Sequence, residues 1–144
     1  MDKELGTLEI LQEEAARFAR SLVPAEDHAT LVTLSGELGA GKTSFTQGMA
    51  RELGIDEPIT SPTFVLEKVY ELPAGQVFAQ LVHIDAYRLE GEKSLVPLGF
   101  SELYVDPKNL IVLEWPELVA AQLPEAAARI TLAVSGNGRT ISYT

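Results

Sequence analysis

The chain has 144 residues, a formal net charge of −10 and no cysteine. Its length suits one compact domain, residues 1–144. The lack of cysteine excludes disulfides, thiolate metal sites and a cysteine nucleophile, and it fits a reducing compartment. No apolar run is long enough for a transmembrane helix, and residues 1–4 are too acidic for a signal peptide. These features predict a soluble cytoplasmic protein with no membrane attachment.

The predicted elements begin with an amphipathic helix over residues 8–22, which Thr7 is suited to cap. A short apolar strand, residues 31–34, then runs directly into a glycine-rich loop. A second helix is predicted from about Lys42 to Leu53, and Gly54 provides its C-terminal stop.

The second half of the chain is predicted to alternate short strands with a few helical segments. In chain order these are extended segments at residues 63–72 and 77–85, a helix-prone stretch at 90–103, a buried strand at 110–113, a short helix from Pro116 to about Leu123, and extended segments at 129–134 and 139–143. The first and last pairs of extended segments each favour an antiparallel hairpin. Together the elements predict a three-layer α/β fold with a mixed central sheet and antiparallel edge hairpins.

The basic residues are dispersed along the chain, and among them only Arg17 and Arg20 lie within one helical turn of each other. A protein that binds nucleic acid by itself normally presents a basic patch that displaces counterions from phosphates. We therefore expect no strong direct binding to nucleic acid. If nucleic acid is the final substrate, a second protein is expected to hold it.

The glycine-rich loop matches the phosphate-binding pattern G-x-x-x-x-G-K-[ST], and it lies between a predicted strand and a predicted helix. Its glycines let backbone N–H groups point at phosphate oxygens, and the helix N-terminus adds free donors. Lys42 is expected to neutralise the β- and γ-phosphates, and the Thr43 hydroxyl to ligate Mg²⁺. The residues assigned to nucleotide binding here are Glu37, Leu38, Gly39, Ala40, Gly41, Lys42, Thr43 and Ser44.

The loop does not identify the nucleobase. Guanine-specific proteins usually carry an Asn-Lys-x-Asp motif late in the chain, and residues 106–109, Asp-Pro-Lys-Asn, do not match it. ATP is therefore the expected nucleotide.

Two carboxylates follow buried strands, where a P-loop protein needs an acidic group for magnesium or for the attacking water. Asp85 follows residues 81–84, and Glu114 follows residues 110–113. A carboxylate next to a buried strand is costly unless it meets a cation. Either one alone could instead be an ordinary loop residue at a strand end.

Four further positions have two interpretations each. Thr63, within the hydroxyl-rich residues 60–64, resembles a switch segment that contacts the γ-phosphate, or belongs to a proline-containing turn. Trp115 could stack on adenine or pack in the core. Arg88 could contact phosphates or a partner, or pair with an acidic neighbour. His83 is expected to be a packed histidine rather than a catalyst.

Six short motifs occur in a fixed order: Gly-Glu-Leu-Gly-Ala-Gly-Lys-Thr at 36–43, Ser-Pro-Thr-Phe at 61–64, His-x-Asp-x-Tyr-Arg at 83–88, Leu-Gly-Phe-Ser-Glu at 98–102, Glu-Trp at 114–115 and Leu-Pro at 123–124. In this order they resemble the bacterial TsaE (YjeE) family, small P-loop ATPases that help to make threonylcarbamoyladenosine in transfer RNA. The resemblance spans nearly the whole chain.

The resemblance implies weak, Mg²⁺-dependent ATP hydrolysis that is stimulated by two partners, the TsaB- and TsaD-type proteins that carry out threonylcarbamoyl transfer. Members of the family often carry a threonine near the base in the N-terminal helix. The corresponding place here is Ala15 or Ala16. The resemblance therefore leaves adenine recognition without an assigned residue.

The resemblance also implies roles for the strand-end residues. Thr43 and Glu114 become magnesium ligands, and Asp85 becomes a catalytic carboxylate that positions water, together with Lys42 and Glu114. Thr63 would lie in a switch-like, nucleotide-binding segment, and Trp115 would lie beside the nucleotide.

Two other function classes stay open. A small-molecule kinase usually closes an arginine-bearing lid, but residues 90–105 contain Lys93 and no arginine. In a non-hydrolysing docking module, the nucleotide would only stabilise a binding surface. Two carboxylates at strand ends disfavour such pure binding.

Overall fold

The structure, a computed structural model, describes residues 2–59, 67–88, 94–136 and 138–144. Its strands are β1 (Asp2–Leu5), β2 (Thr30–Ser35), β3 (Glu67–Glu71), β4 (Gln80–Asp85), β5 (Asn109–Glu114), β6 (Ala128–Ser135) and β7 (Gly138–Tyr143). Its α-helices are α1 (Leu8–Ser21), α2 (Lys42–Glu52) and α3 (Phe100–Tyr104), and 3₁₀ segments lie at Ala86–Arg88, Val96–Leu98, Pro116–Leu118 and Ala120–Gln122.

These strands form one sheet with the order β1-β7-β6-β2-β5-β4-β3. Its centre, β6-β2-β5-β4, is parallel. Antiparallel strands lie on both sides of this centre: β3 pairs with β4, β7 pairs with β6, and β1 pairs with β7. The predicted mixed sheet with antiparallel edges is confirmed.

The two faces of the sheet carry separate apolar clusters. In β5, Leu110 and Val112 belong to the cluster that includes α1 and α2, whereas Ile111 and Leu113 belong to the cluster that includes Phe100 of α3. A parallel strand covered on both faces must be apolar along its whole length, which is why residues 110–113 read as a continuous apolar run. The predicted three-layer arrangement is confirmed.

The predicted helix termini agree closely with the structure. α1 begins at Leu8, and the Thr7 hydroxyl caps it by accepting a hydrogen bond from the Ile10 N–H at 3.1 Å. α1 ends at Ser21, one residue before its predicted end, and α2 ends at Glu52, also one residue early. Gly54 has a φ of 90°, as expected for a glycine beyond a helix C-terminus.

The helical predictions in the second half were too long. Within the described part of residues 90–103, helix is confined to Val96–Leu98 and the first residues of α3. Gly99, which has a φ of 70°, separates these pieces, because this backbone conformation cannot continue a helix. The helix expected after Pro116 is likewise two 3₁₀ segments.

Strand β1 is absent from the predicted elements. It has four residues, three of them charged, and pairs with β7 from Asp2 opposite Ser142 to Leu5 opposite Arg139. Such a short edge strand shows no apolar alternation, and its partner lies at the far end of the sequence. Across the described ranges, no helix combines the length and apolar character needed to cross a membrane.

Candidate functional site

The glycine-rich loop joins β2 to α2 at the edge where the parallel strands end. Gly36 and Gly41 have φ values of 149° and 108°. A Cβ at Gly36 would collide with the Leu132 carbonyl oxygen, and one at Gly41 would lie 2.9 Å from Leu11 Cδ2. The loop conformation therefore requires glycine at both positions.

Lys42 is the first residue of α2, and its side chain folds back over the loop. Its ammonium donates hydrogen bonds to the carbonyl oxygens of Gly36 and Glu37, the latter at 3.1 Å. The same Nζ lies 4.3 Å from the centre of the Trp115 ring, within range for a cation–π contact. The residue is 5% exposed. The predicted phosphate-binding cation is thus held inside the loop.

The charge of Lys42 is only partly balanced by its surroundings. Burial lowers the pKa of its ammonium, while the carboxylates of Glu114, Asp85 and Glu117 act in the opposite direction. The effect of burial is larger than that of the carboxylates, so the pKa of Lys42 is lowered. A further negative charge next to the ammonium would favour its charged form. This electrostatic setting suits the binding of phosphate.

Asp85 and Glu114 are the last residues of β4 and β5 and are direct partners in their parallel register. They are 5% and 3% exposed. The Asp85 Oδ1 accepts a hydrogen bond from the Tyr87 N–H at 3.1 Å. The structure therefore brings both predicted strand-end carboxylates together beside the loop.

His83 also contacts this site. Its Nε2 lies 2.6 Å from Glu114 Oε2, and because a carboxylate only accepts, Nε2 is the donor. The side chain is fully buried, as expected for a packed histidine. His83 lies two residues before Asp85 in β4, and alternate residues of a strand face the same side. This spacing is the sequence signal that His83 faces the same side as the strand-end carboxylate.

Trp115 adopts a left-handed backbone conformation, with φ 62° and ψ 51°. It is the only non-glycine residue with positive φ in the described part of the chain. Its N–H donates to the Leu34 carbonyl at 3.1 Å, and its ring lies 5.0 Å from that of Tyr87. Strained backbone of this kind is characteristic of functional sites. The ring lies against the Lys42 ammonium, beside the glycine-rich loop.

A cavity of about 590 Å³ connects these groups. Most of the predicted site residues line it: Leu38, Gly39, Gly41, Lys42, Thr43, Ser44, Asp85, Glu114 and Trp115. Glu37 and Ala40 are not among its lining residues, and Ala40 is buried. Thr63 and the rest of the segment 60–66 lie outside the described residues, as does Lys93. The size of the cavity falls in the usual range for small-molecule sites, about 300–1,000 Å³.

The other wall of the cavity was not predicted. It is formed by residues 5–8, Leu11, Gly138 and Arg139. The Arg139 Nη2 donates to the Gly39 carbonyl at 3.0 Å and so ties β7 to the loop. No local pattern could have found this wall, since it depends on the pairing of β1 with β7.

The two alanines that correspond to the expected base-contacting position do not line this cavity. Ala15 is fully buried among residues of the α1–α2 cluster, and Ala16 lines a separate groove that also includes Arg51 of α2. Trp115 lies on the side of the carboxylates. Among the described residues, the unpredicted wall with Leu11 and Arg139 is therefore a part of the cavity lining for which the sequence assigned no role.

The oxygen donors of the site fit a magnesium ion bound together with a nucleotide. Thr43 supplies a hydroxyl, and Glu114 and Asp85 supply carboxylates, in the same cavity. Hard cations prefer such oxygen ligands, and Mg²⁺ usually takes one or two carboxylates plus substrate phosphates. In the described ranges, no group of three or more acidic, histidine or cysteine side chains forms a metal cage by itself.

Comparison with known proteins identifies the family. A family model described as threonylcarbamoyl adenosine biosynthesis protein TsaE matches residues 11–141. The tRNA threonylcarbamoyladenosine biosynthesis protein TsaE of Treponema pallidum is 39% identical over 126 residues, covering 88% of this chain and 89% of that protein. Its counterpart in Bacillus subtilis is 35% identical over 143 residues, covering 99% and 86%.

A third relative of the same name, from Streptomyces coelicolor, is 41% identical over 120 residues, covering 83% of this chain and 76% of the relative. The crystal structure of Bacillus subtilis YdiB superposes with a TM-score of 0.71 at 28% identity, covering 99% of this chain and 83% of YdiB. Both the sequence and the fold lead to the same assignment. This chain belongs to the TsaE family of tRNA threonylcarbamoyladenosine biosynthesis proteins.

Proposed function

We propose that the protein binds ATP with Mg²⁺, hydrolyses it slowly, and acts with TsaB- and TsaD-type proteins in the threonylcarbamoyladenosine modification of tRNA in the cytoplasm. The observation that carries this proposal is the cavity in which Lys42 and Thr43 meet Asp85 and Glu114. Family membership supplies the pathway.

Each residue has a part in the proposed site. Backbone N–H groups of residues 37–44 and the ammonium of Lys42 bind the phosphates. The Thr43 hydroxyl and the Glu114 carboxylate would hold Mg²⁺, which would neutralise part of the phosphate charge. Asp85 orients the attacking water, as expected for a carboxylate beside the metal ligand. Thr63 is proposed to contact the γ-phosphate.

The base is proposed to lie against the wall formed by residues 5–8, Leu11 and Arg139. A mostly apolar surface next to a guanidinium suits a flat aromatic ring. Trp115 then lies beside the phosphates rather than against adenine.

The charge of the protein supports a role that depends on partners. With a net charge of −10 and basic residues dispersed along the sequence, the chain is not expected to bind tRNA strongly by itself. The partner proteins are therefore proposed to hold the tRNA, while nucleotide binding and hydrolysis change the state of this subunit.

Nucleotide binding tests the biochemical part of the proposal. Calorimetry should show ATP binding that strengthens with Mg²⁺ and is lost in Lys42→Ala. In a bacterium depleted of its own TsaE, wild type should restore threonylcarbamoyladenosine to tRNA, and Asp85→Asn should not. Restoration by Asp85→Asn, with no hydrolysis, would favour the non-hydrolysing docking module.

A further inference from the structure

We propose that His83 is a positioning residue, which holds the Glu114 carboxylate in the orientation needed for magnesium by donating its Nε2–H to Oε2. The inference rests on the proposed role of Glu114 as a metal ligand. His83 itself would touch neither metal nor nucleotide.

The contact is built into the sheet. His83 pairs in register with Val112, so Glu114 lies two residues further along the neighbouring parallel strand, on the same face as His83. The Nε2–Oε2 distance is 2.6 Å, and the two side chains are 0% and 3% exposed. Each of the two strands is paired on both sides, which leaves the pair little freedom to separate.

A histidine retained for packing alone would be a poor choice at this position. Its Nδ1 is buried without a hydrogen-bond partner among the described residues. An unsatisfied buried polar atom destabilises the fold, and an apolar residue of similar volume would avoid that cost. The hydrogen bond from Nε2 to Glu114 is therefore the interaction that favours histidine over an apolar residue at this position.

What it supplies is the separation of Glu114 from Lys42. Lys42 is a buried cation, and it lines the same cavity as Glu114. Without a competing donor, the carboxylate could turn to pair with Lys42, which would neutralise the phosphate-binding cation and remove a metal ligand together. With Oε2 held by His83, the other carboxylate oxygen stays available to the cavity.

The test compares His83→Gln with His83→Asn. Both are buried amides, but only the Gln amide nitrogen reaches the place of imidazole Nε2, whereas the Asn amide is one methylene too short. Each variant is loaded with a non-hydrolysable ATP analogue in metal-free buffer, and Mg²⁺ is then titrated by calorimetry. Affinity for the analogue without Mg²⁺ is measured separately, and circular dichroism checks folding.

The Mg²⁺ affinity of His83→Asn should fall by roughly 10- to 100-fold, as for other residues that orient metal ligands. His83→Gln should stay close to wild type, and affinity for the analogue without Mg²⁺ should be similar in all three proteins. Equal Mg²⁺ affinities in folded His83→Asn and wild type would overturn the inference. If His83→Asn does not fold, a His83→Gln protein with Mg²⁺ affinity as weak as that of Glu114→Gln would overturn it instead.

Wild type alone tests the underlying proposed function. If Mg²⁺ has no effect on analogue binding to wild type, the assignment of Glu114 as a metal ligand fails, and this inference fails with it. A Mg²⁺ effect in wild type that is unchanged by His83→Asn removes only the role of His83.

Discussion

Asp85 and Glu114 lie side by side as register partners at the ends of the parallel strands β4 and β5. Both residues line the cavity next to the glycine-rich loop. Their surroundings nevertheless differ. Glu114 is held by the buried His83, whereas Asp85 accepts a backbone hydrogen bond from Tyr87 at the start of a 3₁₀ turn. This difference predicts different kinetic consequences for two matched substitutions.

Glu114→Gln should weaken Mg²⁺ binding by about 10- to 100-fold, with turnover partly restored by excess Mg²⁺. Asp85→Asn should leave Mg²⁺ affinity nearly unchanged and lower the turnover number by about 10²-fold or more, as for loss of a group that positions or activates water. Hydrolysis measured as a function of Mg²⁺ concentration separates the two. Identical Mg²⁺ profiles for the two variants would contradict this division of roles.

Lys42→Ala should reduce ATP affinity by at least about 10-fold, because it removes the cation that the loop holds towards the phosphates. The fold should persist, because alanine is a good helix former and can replace lysine at the first position of α2. A thermal-shift titration checks this. Wild type should be stabilised by Mg·ATP, and Lys42→Ala should not, at comparable melting temperatures without ligand.

Trp115 is the only tryptophan in the chain, so its fluorescence reports on the site alone. In the structure the Lys42 Nζ lies 4.3 Å from the centre of the Trp115 ring. Phosphates that draw the ammonium away should change the tryptophan emission as ATP binds. Calorimetry run in parallel gives the occupancy. Unchanged emission at full occupancy would show that Lys42 stays on the ring.

An ionic cluster around the buried Glu14 lies next to the unpredicted wall of the cavity. Glu14 of α1 accepts hydrogen bonds from Arg17, from the Tyr143 hydroxyl of β7, and from Lys3 of β1 at 3.4 Å. Burial by itself would raise the pKa of Glu14, but the bonds from Arg17 and Tyr143 and the charges of Arg17 and Lys3 outweigh it and lower the pKa from 4.5 to about 2. The cluster thus joins three elements around a charged carboxylate.

This cluster predicts how stability changes in acid. The unfolded chain binds the Glu14 proton more readily, so the stabilisation is complete above pH 4.5 and is lost as the pH falls towards about 2. After allowance for the half-exposed Arg17, it amounts to about 2 kcal/mol. Glu14→Gln should therefore lose about that much at neutral pH and show a shallower decline in acid. Urea unfolding across this pH range checks it, and parallel declines for the two proteins would contradict it.

Local patterns predicted where the glycine-rich loop and the two strand-end carboxylates lie in the fold. The loop, its flanking strand and helix, and both strand-end carboxylates follow from short-range signals: glycine spacing, apolar runs and a polar residue directly after each run. Because parallel strands end at one edge of a sheet, the sequence alone is enough to expect Asp85 and Glu114 beside Lys42.

The wall formed by residues 5–8, Leu11, Gly138 and Arg139 could not be predicted in this way. The contact of Arg139 with Gly39 depends on the pairing of β7 with both β6 and β1. Strand β1 is too short and too charged to be recognised from the sequence. The positive φ of Trp115 was equally hidden, because a bulky residue rarely adopts it. Pairing between distant segments decides these features, and a single sequence does not display it.

The most direct measurement of the central claim is phosphate release from Mg·ATP by the purified protein, alone and with the TsaB- and TsaD-type partners. Wild type is compared with Lys42→Ala and Asp85→Ala. Slow release that rises when both partners are present, and that disappears in both variants, is the predicted result. No release from wild type in any mixture, despite tight ATP binding, would contradict the claim that this protein is a partner-stimulated ATPase.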